Sequence, residues 1–327
     1  MDPVLSVRAP LRISLGGGGT DLPSWYRSHG GFVLSAAIDR YVRVRVSPAS
    51  GPRFRLEHLY LEEVEDPAEV EHPILRAALA RHWNGRPLDL VSISDVPPGT
   101  GLGSSGAYTV CSIKALDVAS GRDPSAVDLA EAACDVELGD LGRTVGKQDQ
   151  YAAAHGGVNA FTFGQDGHVG VRRLAPGPAT REAFDQRFLL FGTGGEQRSA
   201  ADMLATQVER TLAGDDELRR NLAGAEELAR SACAALEADE PDRLGRLMND
   251  QWALKRQRLA GVPMDRVEVL REAALEAGAV GAMLVGAGGG GYLLVCAADP
   301  EPVRAALTEA GAPELGFGLD EQGCVTE

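Results

Sequence analysis

Residues 95–107 read D-V-P-P-G-T-G-L-G-S-S-G-A, a loop rich in glycine and serine. Apolar residues with strand spacing precede the loop at 89–94, and residues 107–118 after it have helical spacing. A glycine loop that opens a helix presents backbone N–H groups and the positive end of the helix dipole to a phosphate. The loop therefore predicts a phosphate site built from Pro98, Gly99, Gly101, Leu102, Gly103, Ser104, Ser105 and Gly106.

Two common nucleotide-binding loops do not fit this stretch. Gly101, Gly103 and Gly106 form a G-x-G-x-x-G pattern, but a dinucleotide-binding unit needs a second parallel strand after the helix. Here the helix is followed by G-R-D-P at 121–124 and by a second helical segment, predicted over 125–138. A Walker loop would end in Gly-Lys-Ser/Thr, and this loop contains no lysine. A tight turn without a ligand remains the alternative.

The chain is long enough for two domains, since 327 residues, 44% of them hydrophobic, suffice for two cores. The stretch A-P-G-P-A-T at 175–180 interrupts all periodicity, so we predict domains at 1–180 and 181–327. The pattern also predicts amphipathic helices up to about residue 258 and a helix at 265–277. Further strands are predicted at 4–15, 32–46, 158–163, 168–174, 188–191, 283–285 and 292–296.

Composition limits the ligand class and the location. A formal net charge of −15 argues against nucleic acid and against an anionic membrane as partners, because both require a basic face. The start lacks a signal peptide and no run approaches the roughly 20 apolar residues of a membrane span, so we expect a cytoplasmic protein. Five scattered cysteines predict reduced core thiols. The acidic stretch 61–71 predicts a solvated loop or helix face. The oligomeric state stays open.

Three segments together resemble a known superfamily. P-P-G-T-G-L-G-S-S-G-A at 97–107 resembles the second motif of the GHMP kinases, P-x-x-x-G-L-G-S-S-A-A, with Gly106 in place of the usual alanine. R-A-P-L-R-I-S-L-G-G-G-G-T-D at 8–21 resembles their first motif, and L-V-G-A-G-G-G-G at 284–291 their third. The resemblance implies an α+β fold of two domains, an N-terminal split β-α-β domain and a C-terminal ferredoxin-like domain, with the active site in the cleft. It also implies a small-molecule kinase that uses ATP and Mg²⁺.

The resemblance assigns catalytic roles to four positions. G-K-Q-D-Q-Y-A-A-A-H-G-G at 146–157 is similar to the family segment whose aspartate faces the acceptor hydroxyl, which gives that role to Asp149, either as a base or as an orienting group. Arg12 would lower the pKa of this carboxylate and steady the transferring phosphoryl group. Ser105 and Glu137 would bind magnesium. Glu131, Asp135 and Asp140 lie near Glu137 in sequence and are the alternative ligands.

Within the superfamily, the chain resembles the D-glycero-D-manno-heptose 7-phosphate kinase branch. The segments that carry this are G-G-G-G-T-D at 16–21, the aspartate segment with its Lys-Gln, M-N-D-Q-W-A-L-K at 248–255, and T-G-G-E-Q-R-S at 193–199, which is one residue longer than the pattern. This implies a sugar phosphate as substrate, phosphorylated at its anomeric hydroxyl. The implied substrate-binding residues are Gly17, Gly18, Gly19, Thr20, Asp21, Lys147, Gln148, Gly288 and Gly289.

The acceptor's own phosphate needs a cation in a chain of this charge, and the candidates are Lys147, Arg198, Lys255 and Arg256. Three alternatives stay open: another anomeric sugar kinase, acting on fucose, galactose or an amino sugar; a catalytically silent sensor of sugar and ATP; and an ATP-dependent decarboxylase. The catalytic set argues against the sensor, and the T-D pair at 20–21 argues against the decarboxylase.

Overall fold

A computed structural model describes residues 4–194 and 200–327, which form two sheets covered by helices. The strands are β1 (Leu5–Gly16), β2 (Gly31–Pro48), β3 (Phe54–Glu57), β4 (Leu61–Val64), β5 (Leu88–Ser94), β6 (Val158–Phe163), β7 (Val169–Leu174), β8 (Phe188–Gly192), β9 (Ala279–Leu284), β10 (Tyr292–Ala297) and β11 (Val325–Thr326). The helices are α1 (Pro23–His29), α2 (Pro73–His82), α3 (Ser104–Ala119), α4 (Ala126–Cys134), α5 (Gln148–His155), α6 (Pro178–Gln186), α7 (Ala200–Leu212), α8 (Asp216–Glu237), α9 (Pro241–Arg258), α10 (Asp265–Glu276) and α11 (Pro300–Glu309).

The larger sheet is organised around β2. Its strand order is β11-β1-β2-β5-β3-β4, and β6, paired with β7, also joins β2. β2 is long enough to pair with β6 through residues 31–36 and with β5 through residues 42–48, while β1 pairs along its other edge. β1 alternates buried apolar residues with more polar ones, and the alternation places the Arg12 side chain opposite the core positions Leu11 and Ile13.

The smaller sheet has the order β8-β10-β9, all antiparallel. An isolated bridge between Phe191 and Glu314 extends its edge. α9 and α10 contact β9, so the second sheet has a helical layer that also reaches the first half of the chain. The chain changes sheets between β7 and β8, and β11 returns to β1. The exact domain boundary after residue 180 stays a prediction.

Most of the predicted elements are confirmed, with ends shifted by a few residues. The prediction for 61–71 was wrong in part, because residues 61–64 form β4 and pair with β3 at the sheet edge. The helix predicted at 125–138 is α4 followed by a π-helical segment, Asp135–Asp140. All five cysteines are buried and unpaired, as predicted. None of the helices that the structure describes is both long and apolar enough to cross a membrane.

Candidate active site

A cavity is lined by residues from both halves of the chain, where the active-site cleft was predicted. This cavity is called the cleft below. Its walls come from the end of β1 and the loop after it, from the loop before α3, from the start of α5, and from α7, α9 and the loop between β9 and β10. The residues discussed below that line it are Arg12, Gly18, Gly19, Asp21, Gly99, Gly101, Gly103, Ser104, Ser105, Gln148, Asp149, Gln207, Arg210, Lys255, Arg258, Gly286 and Ala287.

The phosphate loop opens α3 at one end of the cleft. Gly99, Gly101 and Gly103 have φ of 81°, 80° and 77°, a left-handed conformation that favours glycine and turns the backbone into the helix start. No side chain of the described residues caps the first turn of α3, and Gly103, Ser104 and Ser105 at this helix start line the cleft, so the uncapped N–H groups can receive a phosphate. Two predicted positions are placed elsewhere: the side chain of Leu102 is in the core and Pro98 is exposed.

Arg12 and Asp149 form an ion pair in the wall of the cleft. The Arg12 Nε and Nη2 atoms donate to Asp149 Oδ1 at 2.8 and 2.6 Å. Arg12 Nη1 donates to the carbonyl of Gly101 at 2.6 Å. The arginine side chain is buried, whereas the Asp149 side chain is 31% exposed. One guanidinium therefore connects the phosphate loop to a carboxylate that a second substrate can reach.

Gly106 is buried where α3 crosses the start of α5. A Cβ atom at this position would lie 2.6 Å from the Cβ of Asp149 and 3.0 Å from the backbone nitrogen of Gln150. The residue that departs from the family pattern thus lets α3 approach α5 closely and fixes the position of Asp149. Its role here is in packing, because it does not line the cleft.

Glu137 is a nearly inaccessible carboxylate beside the phosphate loop, presented by the π-helical segment. Ser105 Oγ donates to its Oε2 at 2.8 Å, and Thr109 Oγ1 and Gln150 Nε2 donate to its Oε1 at 3.1 and 2.8 Å. Arg143 Nη1 reaches Glu137 Oε2 at 3.3 Å and Ser105 Oγ at 3.0 Å. The sequence analysis missed Thr109, Gln150 and Arg143, although Thr109 lies one helical turn after Ser105.

The oxygen atoms of Ser105 and Glu137 fit magnesium. Mg²⁺ prefers hard oxygen ligands and usually takes one or two from protein, leaving the others to water and phosphates. Among the described residues no group of three or more His, Cys, Asp or Glu side chains could hold a metal, so an ion here would depend on nucleotide phosphates. An incoming cation would compete with Arg143 for both oxygens.

The glycine loop after β1 forms another wall of the cleft and ends at the buried carboxylate of Asp21. Gly19 N and Gln148 N donate to Asp21 at 3.1 and 3.2 Å. Burial raises the pKa of Asp21, and the negative charge of Asp149 adds to the shift. Gly146 packs directly on this carboxylate, since a Cβ there would lie 1.7 Å from Asp21 Oδ2.

Only part of this loop faces the cleft. Gly18 and Gly19, two of the positions predicted to bind substrate, line it. Thr20 is fully buried, and its hydroxyl donates to the carbonyls of Gly17 and Phe32. Gly17 also packs on Phe32 O, which a Cβ would approach to 2.0 Å. Thr20 and Gly17 therefore hold the loop in shape.

Of the two predicted substrate-binding residues Lys147 and Gln148, only Gln148 lines the cleft. Gln148 lines the cleft, and its buried side-chain Nε2 has no hydrogen-bond partner among the described residues. Lys147 does not line the cleft, because its ammonium pairs with Glu131 at 3.0 Å and donates to Gly167 O. The prediction that Lys147 contacts the substrate was therefore wrong for this structure, because its charge is already paired with Glu131.

Cations from the second half line the cleft instead. Of the earlier candidates, Lys255 lines it, Arg256 pairs with Glu268 away from it, and Arg198 lies outside the described residues. The sequence analysis missed Arg258 and Arg210, which also line it. The signal for Arg258 was its position three residues after Lys255, on the same face of a helix.

The third glycine loop closes the cleft at the phosphate end. Gly286 and Ala287 line it, whereas the predicted Gly288 packs on Leu259, and Gly289 does not line it. Gly286 lies directly against the phosphate loop, since a Cβ there would be 2.4 Å from the Cα of Gly101. The two halves thus meet through backbone at this point.

A phosphate loop, a carboxylate paired with a guanidinium, and a buried glutamate beside a serine are the parts that phosphoryl transfer requires. Together with the two-sheet fold they define a phosphotransferase that acts on an alcohol group. The family model described as "GHMP kinases N terminal domain" matches residues 72–157, and the one described as "GHMP kinases C terminal" matches residues 232–313. The chain belongs to the GHMP kinase family.

Individual relatives agree with this assignment. A D-glycero-alpha-D-manno-heptose 7-phosphate kinase of Campylobacter jejuni is 26% identical over 88% of this chain and 88% of its own length. A mevalonate kinase of Methanothermobacter thermautotrophicus is 30% identical over 80% of this chain and 82% of its own length. The crystal structure of a D-glycero-D-manno-heptose 1-phosphate kinase from Bacteroides thetaiotaomicron superposes with a TM-score of 0.80 at 22% identity, covering 99% and 98% of the two chains.

Proposed function

We propose that the protein is an ATP- and Mg²⁺-dependent sugar kinase that phosphorylates the anomeric hydroxyl of D-glycero-D-manno-heptose 7-phosphate to give the 1,7-bisphosphate. The observation that carries this proposal is the Arg12–Asp149 pair, which contacts the phosphate loop through Gly101 O and lines the same cleft as the cations of α9. The name of the Campylobacter jejuni relative supports the choice of sugar, and the four segments quoted in the sequence analysis resemble the same branch.

Each step of the phosphoryl transfer is assigned to a group that lines the cleft or lies beside it. ATP phosphates bind at the loop that opens α3, and the acceptor binds against Gly18, Gly19 and Asp21. The anomeric oxygen forms a bond to the γ-phosphorus as the bond to the ADP oxygen breaks, and Asp149 accepts the hydroxyl proton. Arg12 stabilises the charge of the moving phosphoryl group. Mg²⁺ bound at Ser105 and Glu137 would neutralise phosphate charge.

A phosphorylated acceptor fits the charges of this cleft better than a neutral sugar does. The chain carries a formal net charge of −15, yet Lys255 and Arg258 of α9 line the cleft, and neither is paired with a carboxylate of the described residues. A neutral sugar needs hydrogen-bonding groups and no such set of cations. A dianionic phosphate does need them.

The test is an assay of ATP consumption with heptose 7-phosphate, free heptose, fucose and galactose, followed by ³¹P NMR of the product. We expect kcat/KM to be highest for heptose 7-phosphate and a new anomeric phosphate signal in the spectrum. Free sugars that react as well as heptose 7-phosphate would overturn the heptose phosphate assignment and leave another anomeric sugar kinase. ATP consumption without a sugar phosphate product would contradict the kinase proposal as a whole.

A further inference from the structure

Arg258, near the end of α9, is a partly buried cation in the cleft to which the described residues provide no counter-ion. Its Nη1 donates to Asn221 Oδ1 at 2.8 Å, and its Nη2 reaches the carbonyl of Gly18 at 3.4 Å. Within the described residues it forms no ion pair, and burial lowers its pKa to about 10. By contrast, Arg210 pairs with Asp215 and Arg256 pairs with Glu268.

A second cation lies one helical turn earlier. The Lys255 ammonium donates to the carbonyls of Leu284 and Gly286 and likewise has no carboxylate partner among the described residues. Two like charges held close together without a counter-ion are costly where water is partly excluded. An anion from outside the chain would remove that cost, and both side chains line the cavity into which it would bind.

The positions of the two cations along the cleft differ. Lys255 contacts Gly286, which packs on the phosphate loop, and it lies near enough to Arg12 for their charges to interact. Arg258 contacts Gly18 in the loop that would hold the acceptor. Lys255 therefore lies on the side of the phosphate loop, and Arg258 lies beside the loop that would hold the acceptor.

We propose that Arg258 is the specificity-determining residue that binds the phosphate already carried by the sugar. This inference rests on the proposed function and adds to it the residue that makes the acceptor's phosphate necessary. A guanidinium matches a phosphate because its N–H donors lie in one plane and can bind two oxygens at once. Asn221 fixes the orientation of the guanidinium before the substrate binds.

The experiment compares Arg258→Gln with Arg256→Gln, a control on the same helix whose guanidinium pairs with Glu268 away from the cleft. For each variant, kcat/KM is measured with heptose 7-phosphate and with free heptose, and KM with ATP. We expect Arg258→Gln to lower the ratio of the two acceptor values by about 10²- to 10⁴-fold, because a site built for a charged group then loses its partner. KM for ATP should change little, and Arg256→Gln should keep the wild-type ratio.

Binding without turnover gives a second readout. Calorimetric titration of heptose 7-phosphate in the absence of ATP should show loss of affinity in Arg258→Gln and wild-type affinity in Arg256→Gln. If Arg258→Gln does not fold, Arg258→Lys replaces it, and a loss confined to the phosphorylated acceptor is then expected. If Arg258→Gln or Arg258→Lys lowered kcat/KM equally for heptose 7-phosphate and for free heptose, the role of Arg258 would be overturned.

The two proposals fail in different ways. If the wild-type enzyme shows no preference for heptose 7-phosphate over free heptose, the proposed substrate is wrong. If the wild-type enzyme shows the preference and Arg258→Gln retains it, the proposed function stands and another cation binds the phosphate.

Discussion

At the scale of single residues, the carboxylate of Asp149 is held by Arg12 and remains partly open to the cleft. We predict that Asp149→Asn lowers kcat by about 10²- to 10⁴-fold, because an amide cannot accept the hydroxyl proton in the transition state. The affinity for ATP should stay within a few-fold, since this residue acts on the acceptor. Steady-state kinetics and nucleotide titration measure both values.

Asp140→Asn is the matched control for this prediction. Asp140 is an alternative carboxylate in the same stretch of sequence, but it pairs with Arg81 and does not line the cleft. Its variant should keep the wild-type kcat. If Asp149→Asn retained more than about a tenth of kcat, the proton would have another acceptor, and Asp21 would be the next candidate because it also lines the cleft.

The pKa of Lys255 leads us to predict that the activity depends on pH. Burial, followed by the positive charges of Arg258 and Arg12, lowers the pKa of its ammonium to about 7. As pH rises through this value the free enzyme loses a cation, so kcat/KM for the phosphorylated acceptor should fall with a slope of about −1 on a logarithmic scale. Lys255→Arg should keep its charge and remove this descending limb. An unchanged limb in the variant would assign the titration to another group.

As pH rises, the contribution of Lys255 to stability should change in the opposite direction to its contribution to activity. The pKa of Lys255 is lower in the folded protein than the ordinary value of 10.5, so the unfolded chain binds more protons between about pH 7 and 10.5. The contribution of Lys255 to the free energy of unfolding should therefore increase with pH across this window. Urea unfolding of wild type and Lys255→Met at several pH values would separate this contribution from those of other groups.

At the scale of elements, the contact between α3 and α5 fixes the catalytic carboxylate. We predict that Gly106→Ala lowers kcat by at least about tenfold, because the added Cβ must displace the start of α5, and misplacement of a reacting group by about 1 Å can cost 10²-fold. The clash is with Asp149 Cβ at 2.6 Å. Gly139→Ala is the control, since nothing lies within 4 Å of a Cβ there. Equal kinetics for both variants would contradict the prediction.

The π-helical segment after α4 is the element that presents Glu137 to Ser105. We predict that Glu137→Gln and Ser105→Ala each raise the magnesium concentration for half-maximal activity by at least about tenfold, because each removes or weakens an oxygen ligand. Magnesium titration at fixed ATP, with Mn²⁺ binding followed by electron paramagnetic resonance, measures the effect. Asp135→Asn, an exposed acid of the same segment, should leave both curves unchanged. Unchanged Mn²⁺ binding in Glu137→Gln would move the ligand role to a neighbouring group.

At the scale of the whole molecule, local sequence patterns were enough to predict most helices and strands and the three glycine loops, because turns and strand alternation depend on neighbouring residues. The pairing of Arg12 with Asp149, which are 137 positions apart, followed only from resemblance to a family. Lys147 and Lys255 looked equivalent in the sequence. The difference between them is Glu131 on α4, which faces Lys147 and neutralises it, and such long-range packing has no local signal.

The contact between the phosphate loop and the third glycine loop joins the two halves and supports the cations of the cleft. Gly101 O accepts from Arg12, Gly286 O accepts from Lys255, and the two glycines pack directly on each other. A side chain at Gly286 would separate the loops and move both carbonyls. Arg12 and Lys255 would then lose the partners that hold them beside the reacting groups.

We therefore predict that Gly286→Ala lowers kcat/KM by about 10²-fold or more, as expected when catalytic groups are displaced by roughly 1 Å. Gly278→Ala is the matched control, because Gly278 also has a positive φ, 98° against 79°, but no atom lies within 4 Å of a Cβ there. Both variants should lose stability to backbone strain, by about 1–3 kcal/mol, and the clash with Gly101 should add to the loss in Gly286→Ala, which thermal unfolding measures. The kinetic loss should belong to Gly286→Ala alone, because only that side chain meets the opposite loop. If the two variants lost activity equally, strain would explain the effect, and the loop contact would have no role in catalysis.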